Sequence, residues 1–206
     1  AQLLGETGAA MVEAGHSGSQ RYLERLLDEF PDSPHCGFAY WAKAKQAAKK
    51  EVWHEVLRWA RRFHERTPGH SLSFEMNLIT GSAWCAQGQW NKAEAVYNEL
   101  LRQKQARGQP HVRALEGLAK MNEKRGTPDQ AIPYWQRIYT MYRAYRPQVA
   151  KAYLHSAQLF EARGDYQAAD RTYREFMEQE DLHGFPDFDQ ARRAWSRMRQ
   201  SRKADE

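Results

Sequence analysis

The sequence is poor in cysteine, with two in 206 residues, and this excludes a small fold held together by disulfide bonds. It has no run of about 18 uninterrupted apolar residues, the length that a membrane-spanning helix needs. The net charge is only +5, which gives little support for a nucleic-acid or membrane partner. With 41% hydrophobic residues, the chain is too apolar for a disordered protein and long enough to bury a core.

Recognisable catalytic and metal-binding motifs are missing as well: the sequence contains no HExxH, CxxC, P-loop or GxGxxG. Two Glu-x-x-His steps occur, Glu51 with His54 and Glu180 with His183. Helical di-iron proteins pair such steps, but these two are far apart in the sequence and we expect them not to meet. The sequence therefore predicts no metal, no cofactor, no small-molecule substrate and no enzymatic activity.

What the sequence does contain is a repeat, marked by Gly88, Gly126 and Gly164 at intervals of 38 residues. Around each glycine, a small residue comes seven positions before, alanine five after, an aromatic residue nine after and a large apolar residue twelve after. In chain order these are Gly81, Ala119 and Ala157; Ala93, Ala131 and Ala169; Tyr97, Trp135 and Tyr173; and Leu100, Ile138 and Phe176. Two weaker copies precede them, with Glu51 and Ala14 at the glycine position.

Each copy predicts two helices joined by a tight turn, because apolar residues recur at helical spacing on both sides of the glycine. The five predicted units lie near residues 1–34, 37–70, 74–107, 112–146 and 150–181, in a single array over 1–186. The segment 187–206 carries one apolar stripe and predicts a capping helix with a basic tail. The stripe consists of Phe188, Ala191, Trp195 and Met198.

Several residues near the turns predict where helices begin. Asn91, Thr127 and Asp165 are of the types that cap helix N-termini, and Pro128 suits the first helical position. Pro133 lies several residues inside a predicted helix, where its missing N–H predicts a kink or a later helix start.

The pattern resembles the tetratricopeptide repeat family, and the signature of that family matches best in the third and fifth units. The matching residues are Gly81, Trp84, Gly88, Trp90, Ala93 and Tyr97, then Tyr153, Ala157, Phe160, Gly164, Tyr166, Ala169 and Tyr173. The resemblance implies an all-α fold, a right-handed α-solenoid of stacked antiparallel helix pairs. It also implies a non-catalytic scaffold that binds a peptide or helix of another protein in a concave groove. The period here is 37–38 residues instead of the 34 of the family, so groove geometry transfers only in outline.

In this family the first helix of each unit lines the groove, and its inward positions carry over onto this sequence. The groove positions are Phe38, Trp41, Lys45, Leu78, Ser82, Arg113, Glu116, Lys120, Lys151 and Gln158, with Glu123, Leu154 and Glu161 on the same faces. The implied groove is apolar at its N-terminal end, where Phe38, Trp41 and Leu78 form an anchor, and charged at its C-terminal end. The alternative is that Phe38 and Trp41 are buried by the first unit or by a repeat upstream. The lysine–asparagine clamp with which some members hold a C-terminal carboxylate is missing.

Two other uses of the surface stay open. Tyr139, Tyr142 and Tyr145 form a run through which two copies would associate as a homo-oligomer. The segment 192–203 contains six basic residues and no acidic one, so it is a candidate for binding nucleic acid or an anionic lipid surface. The six are Arg192, Arg193, Arg197, Arg199, Arg202 and Lys203. A solvated tail with favourable charge at a helix C-terminus explains the same run.

The segments EFPDSP at 29–34 and RTPGH at 66–70 are similar to repeats of bacterial envelope proteins. Examples are the lipoproteins of outer-membrane β-barrel assembly and the coordinator associated with the Tol-Pal system. The similarity favours a bacterial periplasmic or envelope location over a cytoplasmic one. Residue 1 is Ala, and the opening segment has neither the basic nor the apolar region of a signal peptide. We therefore expect the chain to be processed or cut from something longer.

Overall fold

The computed structural model describes the backbone of residues 1–205 and the side chains of residues 1–202. This part of the chain is helical and contains no strand. Its α-helices are α1 (Gln2–Glu13), α2 (Ser19–Glu29), α3 (Cys36–Lys49), α4 (Trp53–Arg66), α5 (Ser73–Ala86), α6 (Trp90–Arg102), α7 (Gln109–Arg125), α8 (Pro128–Met141), α9 (Arg146–Ala162), α10 (Tyr166–Met177) and α11 (Pro186–Asp205). Short 3-10 helices at Lys104–Ala106 and Glu180–Leu182 follow α6 and α10. The predicted all-α class is confirmed.

The chain divides into two compact units, Ala1–Ala106 and Arg107–Glu206. In unit 1, α1 packs with α2, α3 with α4, and α5 with α6; in unit 2, α7 packs with α8 and α9 with α10. These pairs coincide with the five units that the repeat predicts. Within unit 1 the first helices also contact one another in order, α1 with α3 and α3 with α5, and within unit 2 α7 contacts α9. First helices of successive pairs therefore lie side by side inside each unit.

Large apolar side chains fill the interior of each unit. The core of unit 1 includes Leu23, Leu26, Val56, Phe63 and Met76, and that of unit 2 includes Leu115, Leu118, Trp135, Tyr173 and Phe176, all nearly or fully buried. Each such side chain stabilises the fold by roughly 1.5–3 kcal/mol relative to an exposed one. Most of these residues come from the aromatic and large apolar positions of the repeat, so the repeat marks the surfaces along which helices pack.

The same tight turn joins the two helices of every pair, and in each turn one residue has a left-handed backbone conformation. This residue is Gly15, Gly88, Gly126 or Gly164 in four pairs, and Glu51 in the second pair. The following amide then reaches back to the helix: Val52 N–H donates to the Ala47 carbonyl oxygen at 2.9 Å. This bond satisfies a carbonyl that the helix end would otherwise leave unpaired. The sequence placed the first of these turns at Ala14, one residue too early.

Glu51 has a φ of 58°, in the region where a side chain is strained, so replacing it with glycine should stabilise the chain. The strain is about 1–2 kcal/mol, and glycine loses roughly 0.5–1 kcal/mol through the greater freedom of the unfolded chain. We therefore expect Glu51→Gly to raise the free energy of unfolding by about 0.5–1 kcal/mol in urea denaturation. Lys50 is the matched control, since its φ of −93° is ordinary and Lys50→Gly should destabilise. Equal effects of the two changes would contradict the argument.

The last helix packs on unit 2 through residues of its apolar stripe. α11 contacts α9 and α10, and Ala191 and Met198 are buried in that contact. The ring of Phe188 packs edge-on against Phe176, with ring centroids 5.4 Å apart. The Trp195 indole N–H donates to Asp170 Oδ1 at 2.8 Å, which fixes the half-buried side of the stripe. The final residue of the predicted segment, Glu206, lies outside the described residues.

The predicted helix starts are confirmed in part. Asp165 caps α10, since its carboxylate accepts from the Ala168 N–H at 3.0 Å. Asn91 lies inside α6 and is not a cap. The Thr127 hydroxyl turns back to Asn122 and makes no capping bond to α8, although Pro128 is the first residue of that helix as expected. α8 runs through Pro133 without a later start.

Candidate protein-interaction surface

The apolar anchor expected in the groove is not exposed, because its central residues belong to the core. Trp41 is 2% exposed and Leu78 is 5% exposed. Phe38 is half-buried: its ring packs edge-on against His70, with centroids 4.6 Å apart, and lies against α1 at Gly5. A β-carbon on Gly5 would come within 2.6 Å of the Phe38 ring, so this glycine lets α1 approach α3 closely. Of the two interpretations that the sequence left open for Trp41, the structure supports burial.

Lys45 and Ser82 are the accessible groove positions of unit 1, and both cover buried neighbours. The Lys45 ammonium lies 4.7 Å from the Trp41 ring centroid and 3.6 Å from a Glu13 carboxylate oxygen. The Ser82 hydroxyl donates to the Leu78 carbonyl oxygen at 3.0 Å. What a partner meets here is therefore polar, with the aromatic ring beneath it.

In unit 2, by contrast, the structure brings predicted groove residues of two successive helix pairs together. Lys120 Nζ on α7 and Lys151 Nζ on α9 both lie beside Glu116 Oε1, at 2.6 and 3.1 Å. The lysine side chains are 46% and 36% exposed, whereas that of Glu116 is 15% exposed. Arg113 is three residues before Glu116 on the same face of α7 and is exposed, with no ion pair to any residue in the described part of the chain.

Two neighbouring ammonium groups favour the ionised form of Glu116. Burial favours the neutral form of Glu116, but the ammonium groups of Lys120 and Lys151 outweigh it and hold the pKa of this carboxyl below its usual value. This face then carries one carboxylate and three cationic side chains, so it has a net positive charge. We call Arg113, Glu116, Lys120, Lys151 and Gln158 the first-helix face of unit 2; Gln158 is partly exposed and follows Lys151 by two helical turns on α9.

Glu123, at the next turn of α7, is tied to the interior of unit 2. Its carboxylate accepts a hydrogen bond from the Trp135 indole N–H and lies 3.2 Å from His155 Nδ1. Burial alone would raise the pKa of Glu123, yet His155 and Trp135 together lower it. Glu161 stands at the equivalent place on α9 and accepts from the Tyr173 hydroxyl at 3.1 Å. Both glutamates therefore connect the two helices of their own pair. Leu154, another predicted groove position on α9, is buried.

This connection was missed at the sequence level, although a signal for it exists. In each case the glutamate precedes the repeat aromatic by twelve residues, so Glu123 and Trp135 repeat as Glu161 and Tyr173. The third pair has Cys85 and Tyr97 at these places, and there the Tyr97 hydroxyl lies 3.3 Å from the Ser82 hydroxyl.

Of the tyrosine run proposed for self-association, Tyr139 is removed from the surface, whereas Tyr142 and Tyr145 stay partly exposed. Tyr139 is buried and stacks on Tyr153, with ring centroids 4.1 Å apart. Tyr142 hydrogen-bonds His111 Nδ1 at 3.2 Å, and the Tyr145 hydroxyl lies against Gly108. The three tyrosines are spaced three residues apart along α8 and the turn after it, so they follow the face of the helix that packs within unit 2.

Three basic residues of α11 make side-chain contacts, two within that helix and one to α10. Arg192 pairs with Asp189 at 3.0 Å, Arg199 lies over the Trp195 ring at 5.2 Å, and Arg202 lies over the Tyr166 ring at 5.7 Å. Lys203 lies outside the described side chains. Such exposed contacts contribute about 1 kcal/mol or less each.

No group of three or more His, Cys, Asp or Glu side chains able to hold a metal ion occurs in the described part of the chain. Nor does any described helix combine the length and the apolar character needed to cross a bilayer.

Comparison with known proteins places the clearest repeat at the fifth helix pair. Residues 151–180 match the tetratricopeptide repeat family model. No curated protein matches the chain significantly. Among solved structures, the chain is similar to the crystal structure of PilW, a widely conserved type IV pilus biogenesis factor, with 17% identity and a TM-score of 0.48 over 88% of this chain and 96% of that one. Residues 151–180 are therefore similar to a tetratricopeptide repeat, and four described helix pairs with the same kind of turn precede them.

Proposed function

We propose that the chain is a non-catalytic scaffold and that the first-helix face of unit 2 binds a peptide or helix of a partner protein. The proposal rests on one observation: the ammonium groups of Lys120 and Lys151 both donate hydrogen bonds to the Glu116 carboxylate. These residues come from the first helices of two successive pairs, so the side chains form one continuous polar face. Repeat proteins present such composite faces to their partners.

The chemistry of this face favours recognition over catalysis. Its accessible groups are ammonium, guanidinium and amide, which donate hydrogen bonds to carbonyl and carboxylate oxygens of a partner. Exposed charges of this kind contribute more to the association rate and to specificity than to affinity. The similarity of 29–34 and 66–70 to bacterial envelope repeats makes an envelope assembly the first place to look for the partner.

A photo-crosslinking experiment with matched charge reversals tests the proposal. A photoreactive phenylalanine replaces Gln158, and the chain is irradiated in a lysate that includes the envelope fraction of the source organism. We expect a discrete crosslinked protein whose recovery falls about tenfold with Arg113→Glu, because this cation has no internal ion pair to lose.

Arg137→Glu is the control, since Arg137 is exposed on α8, a second helix, and carries the same charge. Circular dichroism verifies that both variants are folded. The proposal fails if Gln158 captures no protein, or if Arg137→Glu lowers the recovery as much as Arg113→Glu does.

A further inference from the structure

Unit 1 contains an open cleft of about 550 Å³ between α4 and α5 that the repeat pattern does not account for. Its rim is formed by His54, Arg58, Arg61 and His64 on α4, and its floor by Leu57 together with Trp84 on α5. The four polar residues recur at spacings of three and four, so they share one face of α4. The volume lies within the range of protein sites that enclose a few side chains or a small ligand.

The charged residues that line the cleft are all basic. Two guanidinium groups and two imidazoles line it, and none of its lining residues is acidic. Arg58 pairs with Glu55 at 3.0 Å, a glutamate outside the lining. Arg61 forms no ion pair within the described chain, so its guanidinium is available to an incoming anion. A guanidinium binds a carboxylate with two parallel hydrogen bonds, which gives both strength and direction.

The floor of the cleft supplies an apolar contact. Trp84 matches the repeat signature in the third unit, and Trp135 stands at the aromatic position of the fourth. Trp135 is fully buried, whereas Trp84 stays partly exposed because it faces the cleft. Lys92 covers the ring at 4.4 Å from its centroid, which adds another positive charge near this wall. Leu57 is also partly exposed.

We propose that this cleft binds an acidic segment of a partner protein, in which a carboxylate-bearing residue stands next to an apolar one. Arg61 and Arg58 hold the carboxylate at the rim, and the apolar side chain packs on Leu57 and Trp84. Charge complementarity selects this occupant, since a basic rim without acidic lining rejects a neutral or basic segment. The proposal rests on the scaffold role proposed above and adds a second contact surface and the chemistry of its ligand.

The choice of a protein segment over a nucleic acid follows from the extent of the site. Nucleic-acid grooves follow the phosphate backbone with a long row of cations and stack successive bases on several rings. Here the cations form one cluster, one face of the Trp84 ring is covered by Lys92, and the floor is aliphatic on its other side.

Fluorescence anisotropy with a defined probe tests the proposal. The probe is a fluorescein-labelled ten-residue peptide of glutamate and aspartate with one central leucine, titrated with the whole chain. We expect saturable binding that weakens about tenfold with Arg61→Glu and is largely retained with Arg61→Lys. A peptide with glutamine and asparagine in place of the acids should not bind, and one with serine in place of leucine should bind several-fold more weakly.

Arg62 provides the matched control for general charge attraction. It is the next residue on α4, is exposed as well, and lies over the Trp59 ring at 5.3 Å, outside the cleft. Arg62→Glu should leave the affinity for the probe within about twofold. Equal weakening by Arg62→Glu and Arg61→Glu would overturn the proposal, because the attraction would then belong to the whole basic surface.

Two competitors distinguish an acidic protein segment from free phosphate and from a nucleic acid as the ligand of the cleft. Inorganic phosphate at millimolar concentration should compete weakly, and a ten-nucleotide oligothymidine should not displace the peptide. Displacement by the oligonucleotide, or failure of the acidic peptide to bind, would overturn the proposal. The scaffold role is judged separately, because capture through Gln158 and its dependence on Arg113 involve unit 2 and not this cleft.

Discussion

Trp41→Ala should lower the free energy of unfolding of unit 1 by roughly 3–5 kcal/mol, the loss expected when a buried tryptophan is truncated in a packed core. Trp41 is 2% exposed and belongs to a cluster with Leu23, Leu26 and Met76. Its removal leaves a void that the surrounding helices fill only in part. Urea unfolding followed by circular dichroism measures the loss, and hydrogen exchange in α3 assigns it to unit 1.

Two milder variants separate the sources of that loss. The Trp41 indole nitrogen is buried and has no hydrogen-bond partner in the described part of the chain, which already costs about 1–3 kcal/mol. Trp41→Phe removes this unpaired donor along with some volume, so it should destabilise much less than Trp41→Ala. Lys45→Ala removes the cation over the ring and the exposed pair with Glu13, and should change stability by less than about 1 kcal/mol. A folded, fully stable Trp41→Ala variant would instead favour the groove role.

The helix pairs could be predicted from the sequence because their cause is local. A residue able to adopt a positive φ, flanked by apolar positions at helical spacing, decides where each pair turns and which faces it buries. Even Glu51 is found by position, since it stands where the other pairs have glycine. The cap at Asp165 was found for the same reason, whereas Thr127 has the right type but bonds to Asn122 instead. Residue type alone does not decide which of several nearby groups such a side chain hydrogen-bonds.

Which of the predicted groove residues are exposed could not be predicted, because this depends on contacts between helix pairs. The repeat pattern alone makes all these pairs look alike. Trp41 occupies an inward position of α3, but α1 lies close enough to α3 to cover this end of unit 1, and Gly5 allows that approach. Lys120 and Lys151 both lie beside Glu116 and stay partly exposed, since charge keeps them at the surface, but their role in binding stays a prediction. The cleft beside Trp84 was missed because nothing in the local sequence shows that α4 and α5 leave a gap there.

Trp135→Ala should destabilise unit 2 by about 3–5 kcal/mol as well, but here part of the loss comes through a hydrogen bond. Trp135 is fully buried, its ring stacks on His155 at a centroid distance of 4.6 Å, and its indole N–H donates to Glu123. Truncation therefore removes packing and also takes away one of the two side chains from other helices that contact the half-buried Glu123 carboxylate, leaving His155 on α9.

Trp135→Phe separates the two parts, because it keeps most of the ring and removes the donor. We expect it to destabilise unit 2 by about 1–3 kcal/mol, the effect of leaving a part-buried charged acceptor with one donor fewer. In the background Glu123→Gln the carboxylate charge is gone, so Trp135→Phe should cost less there, and the double-mutant cycle measures the coupling. Additive effects in this cycle would show that Glu123 and Trp135 act independently and that packing alone holds α7 to α8. A coupling of 1 kcal/mol or more, measured by urea unfolding, would establish that the Glu123–Trp135 hydrogen bond helps to hold α7 to α8. The same kind of pair recurs as Glu161 and Tyr173, so the conclusion would extend to α9 and α10.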